Sequence, residues 1–273
     1  VGGLARAFGA ELKPLWLREE LQWAPDLDEL KRLVTPKTRL IAICNPNNPT
    51  GAVLEEKAIE EICAVAAHAG AWLLSDEVYR GAELDGRLTP TFYGRYERVL
   101  CTGGLSKSFG LPGLRVGWVV TTPEFADTLW GYHDYTTIAP TVMSDRLATR
   151  ALAPARRDQL FERTRHILRK HYPVLRDWAG RHRDLLTHIP PAAGAIAYFG
   201  LRARLGQGGW NTAELAEALR VRKSVLLVPG EQFEMPGYLR IGYGYESNRL
   251  RRALERVDEL LAEKAVPRAA ASD

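Results

Sequence analysis

The tightest constraint on the fold is a strand, helix, strand pattern between residues 39 and 75. Residues 39–44 (RLIAIC) form a short β-branched run closed by the turn-rich Asn45-Pro46-Asn47-Asn48-Pro49-Thr50-Gly51. Leu54, Ala58, Ile59, Ile62, Val65, Ala66 and Ala69 then recur at helical spacing as far as Gly70, a helix-ending glycine. A second apolar run, Ala71-Trp72-Leu73-Leu74-Ser75, follows at once. This order is a βαβ unit, which requires a parallel strand pair joined by a right-handed crossover. Further strands are expected at 98–102 and 115–121. Open parallel sheets bind ligands at the carboxyl ends of their strands, so the polar loops after Cys44, Ser75 and Thr102 are where chemistry is expected.

From about Pro123 the pattern turns helical, over 123–131, 140–152 and an Arg-rich stretch at 155–181 that Pro173 is expected to bend or break. Strands near 195–200, 225–229 and 238–243 alternate with helices at 212–222 and 247–264. The expected fold is therefore α/β, a mostly parallel sheet flanked by helices, followed by a smaller C-terminal α+β domain. The expected boundaries are 1–155 for the large domain and 156–265 for the small one, with a disordered tail at 266–273. The chain has no initiator Met, and Val1 to Ala10 read as a helix already under way that ends at a glycine. The N-terminal part of a parent protein is expected to be absent.

Composition narrows the partners. With 46% hydrophobic and 26% charged residues, the chain is an ordinary globular one. Its 37 basic and 33 acidic residues leave a net charge of +4, spread without a basic arm. That favours a small anionic ligand over nucleic acid. No run of about 18 apolar residues marks a membrane span. Cys44, Cys63 and Cys101 are widely spaced, with no metal-ligand pattern, so the expectation is reduced thiols, no metal and a cytoplasmic protein.

Lys107 lies in Gly104-Leu105-Ser106-Lys107-Ser108-Phe109-Gly110-Leu111-Pro112-Gly113-Leu114-Arg115-Val116-Gly117. A lysine amine attacks an aldehyde only after losing its proton, which apolar or cationic surroundings favour. A phosphate-binding P-loop fails on spacing, since Ser106 occupies the place of its glycine. Asn48, Asp76 and Tyr79 also stand at strand ends, and Arg115 follows the lysine. Together they suit pyridoxal 5'-phosphate: a lysine for its aldehyde, a carboxylate (Asp76) for its ring nitrogen, donors (Tyr79, Asn48) for its phenolic oxygen, and Arg115 for its phosphate. Each also has a plainer reading. Lys107 is an exposed loop lysine, Asn48 a helix cap, Asp76 a loop acid, Tyr79 a packed ring, and Arg115 the partner of some nearby carboxylate.

N-P-N-N-P-T-G at 45–51, S-D-E-V-Y at 75–79 and the lysine run at 104–117 resemble the class I/II aminotransferases, fold type I pyridoxal-phosphate enzymes of the aspartate aminotransferase superfamily. The resemblance implies a homodimeric enzyme of amino acid metabolism and biosynthesis. Such an enzyme moves an amino group between an amino acid and a 2-oxo acid through a Schiff base on Lys107. It gives Lys107 the movement of the α-proton and assigns Asp76, Tyr79, Asn48 and Arg115 the contacts above. Y-L-R-I-G-Y-G at 238–244 is similar to the segment that grips the substrate α-carboxylate, which makes Arg240, with Asn48, a substrate-binding residue. Members commonly carry Ser or Thr where Gly104 stands, so Ser106 or Thr102 is the expected source of the phosphate-binding hydroxyl. Asp134-Tyr135-Thr136-Thr137-Ile138 and the G-L-P-G-L-R stretch are also similar to capreomycidine-synthase-like relatives. The alternatives are therefore another fold type I enzyme (a cyclase, lyase or decarboxylase) or a non-catalytic sensor domain.

Overall fold

The computed structural model describes residues 2–202 and 209–263, so the expected tail at 266–273 lies outside the described residues. The chain divides into two compact units. The first comprises Val1–Asn48, Ala52–His166 and Ala192–Gly194, and the second Pro49–Gly51, Ile167–Pro191 and Ala195–Asp273. The main division between these units falls at 166/167, inside a continuous helix.

In the first unit, helices α1 (Gly2–Ala7) and α2 (Leu27–Leu33) come first. The Asp26 carboxylate caps α2 by accepting from the N–H groups of Asp28 and Glu29. Next come β1 (Leu40–Cys44), α3 (Glu56–Ala69), β2 (Trp72–Asp76), β3 (Val99–Gly104) and β4 (Gly117–Val120), with sheet order β1-β2-β3-β4. The β1–β2 and β2–β3 pairs are parallel, and α3 ends at Gly70 in the left-handed conformation. β4 runs antiparallel to β3, to which the loop at 105–116 joins it. Ile59, Ile62 and Ala66 of α3 pack against Ile41, Leu73, Val99 and Cys101. Burying each of the larger side chains contributes roughly 1.5–3 kcal/mol.

Helices α4 (Pro123–His133) and α5 (Val142–Leu152) follow, capped by the hydroxyls of Thr122 and Thr141. The next helix, α6 (Pro154–Arg181), runs unbroken through Pro173. A mid-helix proline costs about 3 kcal/mol. Here burial of Phe161, Leu168, Leu175 and Trp178 along the helix opposes that cost.

The second unit contains the end of α6, β5 (Leu186–His188), β6 (Ile196–Leu201), α7 (Thr212–Lys223), β7 (Val228–Pro229), β8 (Tyr238–Gly242) and α8 (Ser247–Ala262). Its sheet, ordered β5-β6-β8-β7, is antiparallel throughout. A reciprocal pair of bonds between Asn211 and Glu214 fixes the start of α7. Leu250, Leu254, Val257 and Leu260 form one buried stripe along α8. β5, three residues long, carries too little pattern to be read from sequence. Among the described residues no helix is long and apolar enough to cross a membrane, and no group of His, Cys, Asp or Glu side chains is arranged to hold a metal ion.

Candidate functional site

Parallel register sets the first row of the site. Cys44 pairs with Asp76, and Asp76 with Thr102, so β1 and β2 end level with each other and with Thr102 of β3, which runs on to Gly104. Pairing continues one residue further, with the Asn45 N–H donating to the Asp76 carbonyl and the Glu77 N–H to the Thr102 carbonyl, each at 2.9 Å. Asp76 Oδ1 accepts from the Thr102 hydroxyl at 3.1 Å and the Val78 N–H at 3.3 Å. Of the two hydroxyls expected to serve in place of one at Gly104, that of Thr102 is thus engaged at Asp76. Burial, with the charge of Asp76, pushes the Cys44 thiol up to about 11, so the thiol stays protonated at neutral pH.

Strand alternation sends the neighbouring acid the other way. Glu77 is buried and accepts from the Ser75 hydroxyl at 3.1 Å, the Thr91 hydroxyl at 2.8 Å and the Phe92 N–H at 3.0 Å. This fastens the 75–79 turn from beneath. A few residues on, buried Glu83 accepts from the N–H groups of Gly81 and Thr89 and pairs with Arg165 of α6 at 2.8 Å. Burial opposes the Glu83 charge, but these donors outweigh it and hold the carboxyl below its ordinary range.

The lysine loop is held by its apolar residues. Leu105 and Phe109 are buried with Ala148, Ala151 and Phe161, and the Phe109 ring meets those of Phe161 and Trp118 at 4.8 and 6.1 Å. Gly103 lacks a side chain where the Trp118 ring lies across the strand pair. The Ser108 hydroxyl donates to the Val78 carbonyl at 3.1 Å, tying the loop to the 75–79 turn. Gly110, at φ +64, turns the chain so that its N–H reaches the Lys107 carbonyl at 2.9 Å. Arg163 caps the Phe109 carbonyl at 2.7 Å.

Lys107 is exposed, which corrects the expectation of apolar wrapping: the apolar neighbours turn inward and leave the lysine outside. Its Nζ lies 5.8 Å from the centroid of the Tyr79 ring, and that ring is buried. Ser106 is half-buried and makes no hydrogen bond among the described residues. Arg115 is exposed in a left-handed conformation at φ 54, and its Nη1 donates to the Pro112 carbonyl at 3.0 Å. Asn48 does not cap α3, which begins at Glu56 with Glu55 before it. Its backbone N–H instead bonds the Cys44 sulfur, next to Asp76. Arg240 belongs to the second unit. It lies on β8 on the face opposite buried Leu239 and Ile241, with its guanidinium 5.3 Å from the Phe233 ring.

The structure therefore gathers Asn48, Asp76, Tyr79 and Lys107 at one end of the parallel sheet. Arg115 sits at the far end of the lysine loop, and Arg240 stands in the other unit. Glu77, Ser108 and the Glu83–Arg165 pair escaped sequence reasoning. The side chains that hold them are distant in sequence, and a buried acid reads like a surface one until its donors are known.

The family model for aminotransferase class I and II matches residues 3–257. Capreomycidine synthase from Streptomyces vinaceus is 32% identical over 265 residues, 97% of this chain and 66% of that protein. Aromatic-amino-acid aminotransferase 2 from Thermococcus litoralis is 32% identical over 253 residues, 90% of this chain and 63% of that protein. Among solved structures, a PLP-dependent aminotransferase from Streptococcus suis 89-1591 is 34% identical with a TM-score of 0.85, and the match covers 96% of this chain and 68% of the other. The chain spans somewhat less than two thirds of the two curated relatives.

Proposed function

The chain belongs to the class I and II aminotransferases, and from that premise we propose that it binds pyridoxal phosphate and transfers an amino group between an amino acid and a 2-oxo acid. The observation that carries this reading is the arrangement at the end of the parallel sheet. An exposed amine, Lys107, lies over the Tyr79 ring, one short turn from a carboxylate whose Oδ1 is anchored and whose Oδ2 has no partner among the described residues. That donor set fits the cofactor. When bound, the cofactor supplies an aldehyde and a protonated ring that draws electrons from the substrate α-carbon.

The remaining work falls to the chain's own groups. The Asp76 carboxylate holds the proton on the ring nitrogen. The Tyr79 hydroxyl and the Asn48 amide donate to the phenolic oxygen, while Arg115 and the Ser106 hydroxyl hold the phosphate. With the cofactor in place, the Lys107 amine would serve as the base that takes the substrate α-proton and returns it two bonds away, at the carbon that had been the cofactor's aldehyde. The Arg240 guanidinium would take the substrate α-carboxylate as a bidentate ion pair. The described residues include three free cysteines, which support a cytoplasmic protein. The exposed apolar run Trp130, Tyr132, Tyr135, Ile138, Val142 and Met143 supports a homodimer.

A second reading rests on the likeness to capreomycidine synthase: a cyclising enzyme on the same scaffold. Incubation with an amino acid isotopically labelled at its amino nitrogen and an unlabelled 2-oxo acid separates the two. Transfer makes a new labelled amino acid from the acceptor and loses that product in Lys107→Ala. A cyclised donor with no label in the acceptor would overturn transamination.

A further inference from the structure

Thr102 is not accounted for by the contacts proposed above, yet its hydroxyl touches the carboxylate at their centre. Thr102 and Asp76 are register partners on adjacent parallel strands, so their side chains emerge on one face of the sheet, level with each other. Threonine's β-branch restricts its first side-chain torsion, which keeps the hydroxyl aimed along that row. The Thr102 hydroxyl donates to Asp76 Oδ1 at 3.1 Å, and the Thr102 carbonyl accepts the N–H of Glu77, the next residue in the turn, at 2.9 Å. One residue of β3 therefore grips both the side chain of Asp76 and the backbone just beyond it. The second bond to the carboxylate, from the Val78 N–H, also falls on Oδ1. Oδ2 is left as the oxygen that accepts from outside.

We propose that Thr102 is a positioning residue for Asp76: by occupying Oδ1 it fixes the rotation of the carboxylate and presents Oδ2 to the ring nitrogen of the cofactor. The proposal rests on the reading of Asp76 given above. It also replaces the phosphate-binding role that sequence gave to Thr102, since a hydroxyl has one proton to donate and here it goes to Asp76.

The test compares two ligands of the full chain by equilibrium binding: pyridoxal phosphate, and the analogue in which carbon replaces the ring nitrogen. Wild-type protein is expected to prefer the natural cofactor. Thr102→Val keeps the side chain's shape and removes the donor. It is expected to shrink that preference by about 10-fold, the lower end of the range for a hydrogen bond to a charged group, while affinity for the analogue changes little. Thr102→Ser restores the donor and is expected to recover most of the preference even where its stability differs. Equal losses for both ligands in Thr102→Val, or an unchanged preference, would overturn the assignment to Thr102 while leaving the Asp76 reading standing. No preference in the wild type would overturn the Asp76 reading, and the proposal with it.

Discussion

The two four-stranded sheets place their polar residues in different ways. In the parallel sheet, α3 packs over Ile41, Leu73 and Val99, and the site residues appear where the strands stop, at Asp76 and in the loops beyond Cys44 and Gly104. In the antiparallel sheet the polar residue stands within a strand: Arg240 lies between Leu239 and Ile241, which are buried on the other face. Sheet type decides the difference. A parallel sheet covered by its crossover helices exposes chemistry at its ends, whereas antiparallel alternation leaves one face for it. If so, damage to the first unit should act on loop geometry, and damage to the second on a face.

The largest effect is expected from Glu83→Ala. It strands the Arg165 guanidinium in a buried site and should destabilise the first unit by about 3–5 kcal/mol, as read from denaturant unfolding. Native-state hydrogen exchange should show β2 amides losing protection before those of β6. Leu239→Ala tests the opposite unit. It should cost about 2–5 kcal/mol and expose β6 and β8 first, with the cofactor affinity of the still-folded protein little changed. Equal loss of protection in both units from either variant would break the comparison.

Ser108→Ala is subtler. It removes the tie between the lysine loop and Val78 and should cost about 1 kcal/mol in stability. Its effect on Lys107 reactivity, measured by competitive acylation and mass spectrometry, should exceed that at other exposed lysines. Acidification is the gentlest perturbation, and it separates the units by sign and range. Burial lowers the folded values of His171 and His188 below the ordinary 6.5, so their stabilising effect is complete above that pH and is lost as pH falls through the folded values. Glu83 is lowered from 4.5, so its contribution holds above that pH and fails only in stronger acid. Hydrogen exchange between pH 7.5 and 4 should therefore show the second unit loosening first.

Much of this was legible in the sequence because local pattern and global fold agree. The 39–75 run has one apolar period per element, a turn-rich stretch after the first strand and Gly70 at the end of the helix, and β1, α3 and β2 form where that pattern puts them. The site motifs were legible because their residue types are chemically specific. What escaped depends on distant partners. Pro173 reads as a bend or break, yet α6 continues past it with apolar side chains buried along its length. Thr102 reads as a spare hydroxyl until parallel register sets it beside Asp76. Lys107 reads as wrapped because its neighbours are apolar, yet those neighbours turn inward and expose it.

The central claim is that Lys107 is the residue that meets the cofactor aldehyde. Borohydride reduction of the cofactor-loaded protein, followed by peptide mass mapping, tests it directly. The account predicts a pyridoxyl group on the peptide containing Lys107 and on no other, and none after prior exchange with an amino donor. A group fixed to a different lysine, or no attached group in protein that has bound the cofactor, would contradict it.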